Sequence, residues 1–108
     1  MRVVVLSPDL VDRSHIAAAL PDAELVSVAA QLPAAAIGAD VVVVDVSRPG
    51  ALDVLPAVVA AAGDVVAFGP HVDTASLAAA TAAGARAMPR SRFFADIAAA
   101  VAGLSSAG

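Results

Sequence analysis

A chain of 108 residues is one ordinary domain, large enough to bury a two-sided sheet core and too short for a second one. Hydrophobic residues make up 60% of it and its mean hydropathy is +0.89, yet Asp53, Asp64, Asp73 and Asp96 break the apolar stretches before any reaches the ~20 residues of a membrane-spanning helix. The net charge of −4 opposes non-specific attraction to nucleic acid or anionic lipid, and the absence of cysteine excludes disulfides and thiol chemistry.

Much of the apolar excess is alanine, which contributes little burial per residue, so Ala-lined helices packed closely on a Val-rich sheet are expected. All six basic residues are arginine, leaving no lysine for Schiff-base, phosphate-loop or general-base work. The first apolar run ends at Pro8, Asp9 and Asp12, before a signal-peptide core could form. The expectation is a cytoplasmic domain without direct nucleic-acid or membrane contacts. Alanine excess without lysine also suits a GC-rich bacterial genome.

In chain order, segment 2–6 reads as a strand around Val3, Val4, Val5 and Leu6, followed by a helix carrying Leu10, Val11, Ile16 and Leu20. Segment 23–29 reads as a second strand. Pro33 and Pro56 sit near helix starts or weaken the helices that carry them, and 40–46, with Val41 to Val44, reads as a third strand. Unbroken apolar runs at 3–6 and 41–44 mark strands covered on both faces, hence neighbours in mid-sheet. Leu52, Val54, Leu55 and Val58 supply the next helix. Segment 64–68 is a fourth strand, and Asp73 or Thr74 caps a helix bearing Leu77 and Ala80 that stops at Gly84. Segment 85–88 is the fifth strand. Ser91 opens the last helix, whose apolar face carries Ile97, Ala100, Val101 and Leu104.

Strands alternating with helices imply parallel strands, right-handed crossovers and an open, doubly wound α/β sheet. Ligands and chemistry in such sheets gather at the carboxyl ends of the strands, beside the topological switch point. That rule selects loops 7–9, 45–50, 69–73 and 89–92. One domain over 1–104 with a frayed tail at 105–108 is expected.

The most informative segment is Asp40-Val-Val-Val-Val-Asp45-Val-Ser-Arg-Pro49-Gly50. A carboxylate at a strand's carboxyl end can act as a nucleophile or metal ligand when other acids and a divalent cation lie beside it; more simply, it hydrogen-bonds and caps its loop. With Pro49 and Gly50 behind it, Asp45 resembles the phosphoacceptor aspartate of response-regulator receiver domains, which ends the third strand and precedes a Pro-Gly turn. The alternation of strands and helices extends the resemblance over nearly the whole chain. It implies a flavodoxin-like sandwich of about five parallel strands in the order 2-1-3-4-5, with helices on both faces, and a place in two-component signal transduction.

Other receiver positions depart from the family. Ser7 and Pro8 stand where receivers place two magnesium-holding acids, leaving Asp9 with Asp45 as a weak metal site; otherwise Asp9 caps the first helix. Gly69 replaces the switch Ser or Thr, Arg90 or Arg92 stands near the place of the phosphoryl-gripping lysine, and Ala87 and Met88 occupy the region of the aromatic switch. The resemblance is therefore to a pseudo-receiver: a signalling or scaffolding module that meets a protein partner or a second copy of itself, with no enzymatic activity and no cofactor beyond weakly held magnesium. The alternatives are a working phosphoacceptor at Asp45 with an improvised metal site of Asp9 and His71, and a flavodoxin-like small-molecule binder or hydrolase. The last lacks phosphate-loop and nucleophile-elbow motifs and any Tyr or Trp.

His71 can be read as a metal ligand or acid/base partner of Asp45, or as part of a turn feeding a helix cap. His15, on the first helix without a nearby Cys or Glu cluster, reads as a surface or boundary residue. Arg86, Arg90, Arg92, Phe93 and Phe94 combine residue types enriched in binding hot spots with the region through which receivers meet partners. The competing reading has the phenylalanines anchoring the last helix and the arginines solvated.

Overall fold

Side chains alternate between the two faces of a strand, so a strand that is apolar at every position must be covered twice. The computed structural model, which describes residues 1–103, meets that demand with a five-stranded sheet. The strands are β1 (Val3–Leu6), β2 (Glu24–Val26), β3 (Val41–Asp45), β4 (Asp64–Gly69) and β5 (Arg86–Pro89). All pairings are parallel and the order is β2-β1-β3-β4-β5, the flavodoxin-like arrangement expected. Val3 to Leu6 lie in register with Val41 to Val44, placing the two valine runs side by side in mid-sheet.

The helices are α1 (Leu10–Ala19), α2 (Leu32–Ala36), α3 (Ala51–Ala61), α4 (Thr74–Ala82), α5 (Arg90–Ala95) and α6 (Ile97–Ala102). Val4, Leu6, Val42 and Val44 pack with Leu32, Leu55, Val58 and Ala80, so α2, α3 and α4 cover one face. Val3, Val5, Val43, Val66 and Phe68 pack with Ile16, Phe93, Ile97 and Val101, so α1, α5 and α6 cover the other. The first face is lined by aliphatic and alanine side chains; the second carries a stacked pair, Phe68 on Phe93, with ring centroids 4.7 Å apart. No helix among the described residues is long and apolar enough to cross a membrane.

Asp73 is the N-cap of α4, its Oδ1 accepting from the Ser76 amide at 3.1 Å. Gly84, at φ 107°, ends that helix in the left-handed region. Its amide donates to Thr81 O and the Ala85 amide to Ala80 O, the paired closing bonds of a Schellman turn. Of the two prolines, Pro33 lies at the start of α2 and Pro56 is inside α3, on its exposed side.

Two expectations are corrected. The strand expected at 23–29 is confined to Glu24–Val26, and Ala29 instead opens a 3-10 turn, Ala29–Gln31, in which it is buried in the α2–α3 layer. Ser91 does not open a single last helix. Pro89 precedes α5, Asp96 breaks the helix at φ −156° and ψ 87°, and its Oδ1 caps α6 through the Ala99 amide at 3.1 Å. The break separates two anchors, letting Phe93 stack beneath α5 while Ile97 and Val101 turn onto the same sheet face. Leu104 and the tail 105–108 lie outside the described residues.

Candidate functional site

The carboxyl ends of β1, β3, β4 and β5 bring Ser7, Asp9, Asp45, Gly69 and Arg90 to one edge of the sheet. Asp45 is the last residue of β3 and is 2% exposed. The Val46 amide donates to Phe68 O at 3.0 Å, which carries strand pairing one residue further before the chain turns. Ser47 then folds back: its amide and its hydroxyl both donate to Asp45 Oδ1, at 3.0 and 2.6 Å. Arg48 follows with Nε 3.6 Å from Asp45 Oδ2, an ion pair beyond hydrogen-bonding distance. Both oxygens of Asp45 are thus engaged by its own loop, and the loop-capping reading of this residue describes the observed contacts.

Asp9 also acts locally. Its Oδ1 accepts from the amides of Val11 and Asp12 at 2.9 and 3.0 Å, capping α1. The Asp12 amide is the main cause that holds its carboxyl below the usual carboxylate range; the Val11 amide and the charges of Arg48 and Arg90 act in the same direction, against a desolvation effect. Ser7 is fully buried, and its hydroxyl meets no hydrogen-bond partner among the described residues. Among the described residues no three His, Cys, Asp or Glu side chains gather into a set that could hold a metal ion.

Gly69 at the end of β4 is fixed by its neighbour across the sheet. A Cβ there would stand 2.8 Å from Val46 Cγ2, so a serine or threonine hydroxyl at this position has no room while Val46 keeps its place.

Arg90 is directed away from Asp45. Its Nη1 and Nη2 donate to Asp12 Oδ2 and Oδ1 at 3.0 and 2.6 Å, a two-pronged bond between residues 78 apart in the chain. The guanidinium also lies over Phe94, 5.0 Å from the ring centroid, and over Phe68 at 5.9 Å. The hydrogen-bonded Asp12 carboxylate raises its pKa above the ordinary arginine range, with Asp45 and Asp9 adding more distant attraction. Asp12 was not among the candidate residues. The signal for it was present: Asp12, Ile16 and Leu20 share one i, i+4 row of α1, and a carboxylate on an inward row needs a partner.

The segment 86–94 divides. Phe93 is 0% exposed, and the Arg86 guanidinium is committed to Asp64 Oδ2, at 3.0 and 2.6 Å, and to the carbonyls of Ala100 and Val101. Phe93 is therefore interior, a correction to the surface reading, while Arg86 is half-buried with its guanidinium tied to its neighbours. Arg92 is exposed, and Phe94 is half-buried against Phe68, Phe93 and the edge of His15. His71 is exposed in the turn closed by the Asp73 amide on Pro70 O, and its ring makes no hydrogen bond to a described residue. Exposed large apolar side chains lie elsewhere on this edge: Leu10 and Val11 after β1, Val28 after β2 and Val72 after β4.

Comparison of the chain with protein-family models finds no matching family, and comparison with curated proteins finds no match.

Proposed function

We propose that the chain is a receiver-like module that works by protein contact and does not transfer phosphoryl groups at Asp45. The observation that carries this reading is the engagement of Asp45 and Arg90 by other residues. Asp45 is held through both oxygens by Ser47 and Arg48, and Arg90 is bound to Asp12. A phosphoacceptor needs a free oxygen for in-line attack and a cation near the developing charge. Ser7 and Pro8 in place of acids, and Gly69 wedged against Val46, support the same conclusion. Docking of a protein partner or a second copy is supported by the exposed apolar side chains of Leu10, Val11, Val28 and Val72 in the loops and helix starts at this end of the sheet.

Intact-mass analysis after incubation with acetyl phosphate and magnesium tests the reading. The expected result is an unmodified chain under conditions that phosphorylate a working receiver. One added phosphoryl group on the wild type, absent from Asp45→Asn, would establish the phosphoacceptor alternative instead.

A further inference from the structure

We infer that a cleft beside the switch point of the sheet binds a small organic carboxylate. The chain runs from β1 outward to β2 and returns to β3 on the other side of β1, so the switch point lies between β1 and β3. A cleft of about 340 Å³ opens beside it among the loops that follow β1, β2 and β3, lined by Pro8, Ser27, Val28, Ala29, Arg48 and Pro49. That volume is at the small end of the range for ligand sites, which run from about 300 to 1,000 Å³.

Arg48 supplies the specificity. Arg2, Arg13, Arg86 and Arg90 all donate hydrogen bonds, whereas the Arg48 guanidinium donates none to a described residue. Its Nε is buried without a hydrogen-bond acceptor, and its side chain is 36% exposed. A planar fork of donors on the wall of a cleft matches a carboxylate, which accepts two parallel bonds. Across the cleft, Ser27 Oγ accepts from Arg13 Nη1 at 2.7 Å, so its own hydroxyl hydrogen is available to a ligand oxygen and a second positive charge stands at the rim. Pro8, Val28, Ala29 and Pro49 provide an apolar wall for a short hydrocarbon body.

The charge balance selects a monoanion. Asp45 pairs with Arg48, and Asp9 lies close enough for its charge to interact with the same guanidinium. Two neighbouring carboxylates oppose a phosphate dianion more strongly than a single carboxylate.

Titration of the whole chain with butanoate, acetate, butanol and inorganic phosphate, followed by amide NMR, tests this. Butanoate should give saturable shifts at Ser27, Val28, Ala29, Ser47 and Arg48 in the millimolar range. Arg48→Lys keeps a charge beside Asp45 and loses the fork, and should weaken binding about tenfold. Butanol and phosphate should bind more weakly than butanoate. Val28→Ser, at an exposed position, should remove the roughly fivefold advantage of butanoate over acetate, and it keeps the test open if Arg48→Lys fails to fold. No saturable shift at these residues, full affinity in a folded Arg48→Lys chain, an undiminished advantage of butanoate in Val28→Ser, or phosphate or butanol binding as tightly as butanoate would each overturn the proposal.

Discussion

Two buried carboxylates stand at the same edge of the sheet and are neutralised in opposite ways. Asp45 is served from its own loop, by residues two and three positions on, while Asp12 is served by Arg90 from 78 residues away. The first arrangement forms wherever β3 ends and its turn closes. The second exists only when α1, β5 and α5 are all in place. The contrast separates a local cap, which sets the conformation of a loop, from a tertiary tie, which holds two ends of the chain together.

The tie should be the costlier to break, and asymmetrically. Arg90→Ala strands the Asp12 carboxylate at 5% exposure and should cost about 2–3 kcal/mol in urea unfolding, below a fully buried pair because Arg90 is itself exposed. Asp12→Ala leaves an arginine that can turn to solvent and should cost about 1 kcal/mol. Equal losses would mean that only the bond shared by the two residues counts, with no added penalty for the stranded carboxylate or for the lost aromatic contacts of Arg90.

Placing a hydroxyl on the Asp45 side comes next. Gly69→Ser should destabilise by about 1–2 kcal/mol through its collision with Val46, and Gly69→Ser combined with Val46→Ala should cost less than the sum of the two single changes. Additive losses would show that Val46 does not set the space at this position.

Asp45→Asn should change stability by less than about 1 kcal/mol, since an amide oxygen still accepts from Ser47 and the ion pair to Arg48 is long. A loss as large as that of Arg90→Ala would place Asp45 among the structural ties. The smallest effect is the pH dependence of Asp9. Its carboxyl is depressed in the folded chain, so its contribution is present above the ordinary value of 3.8 and fades as pH falls through the lower folded value. Comparing wild type with Asp9→Asn in pH-dependent thermal unfolding should give a difference that is flat above pH 3.8 and changes only below it.

What could be read from the sequence follows the same division between local and distant. The runs at Val3 to Leu6 and Val41 to Val44 located the central strands because two-sided burial removes alternation. Asp73 and Gly84 marked the ends of α4 because caps are set by neighbouring residues. The position of Asp45 was legible, but its engagement by Ser47 and Arg48 depends on how the loop turns back. The partner of Asp12 was not legible, because it depends on where β5 delivers the chain relative to α1, which no local pattern encodes. The cap at Asp96 is local, yet the reading of a single last helix misses it, and Phe93 stands between an interior and a surface reading. Segment 23–29 misled because an edge strand needs few residues, and Ala29 is buried equally well from a turn.

The bond between Asp12 and Arg90 also sets an order of events on the ribosome. Chains emerge from the amino end, so Asp12 leaves the exit tunnel long before the arginine that neutralises it, and α1 must wait with its inward carboxylate hydrated. The face made by α2, α3 and α4 can close as synthesis passes α4, whereas the face made by α1, α5 and α6 is completed only near the end of the described chain. A nascent chain halted between β4 and α5 would therefore present Ile16, Val43 and Phe68 as an open apolar surface, the species on which a chaperone would act.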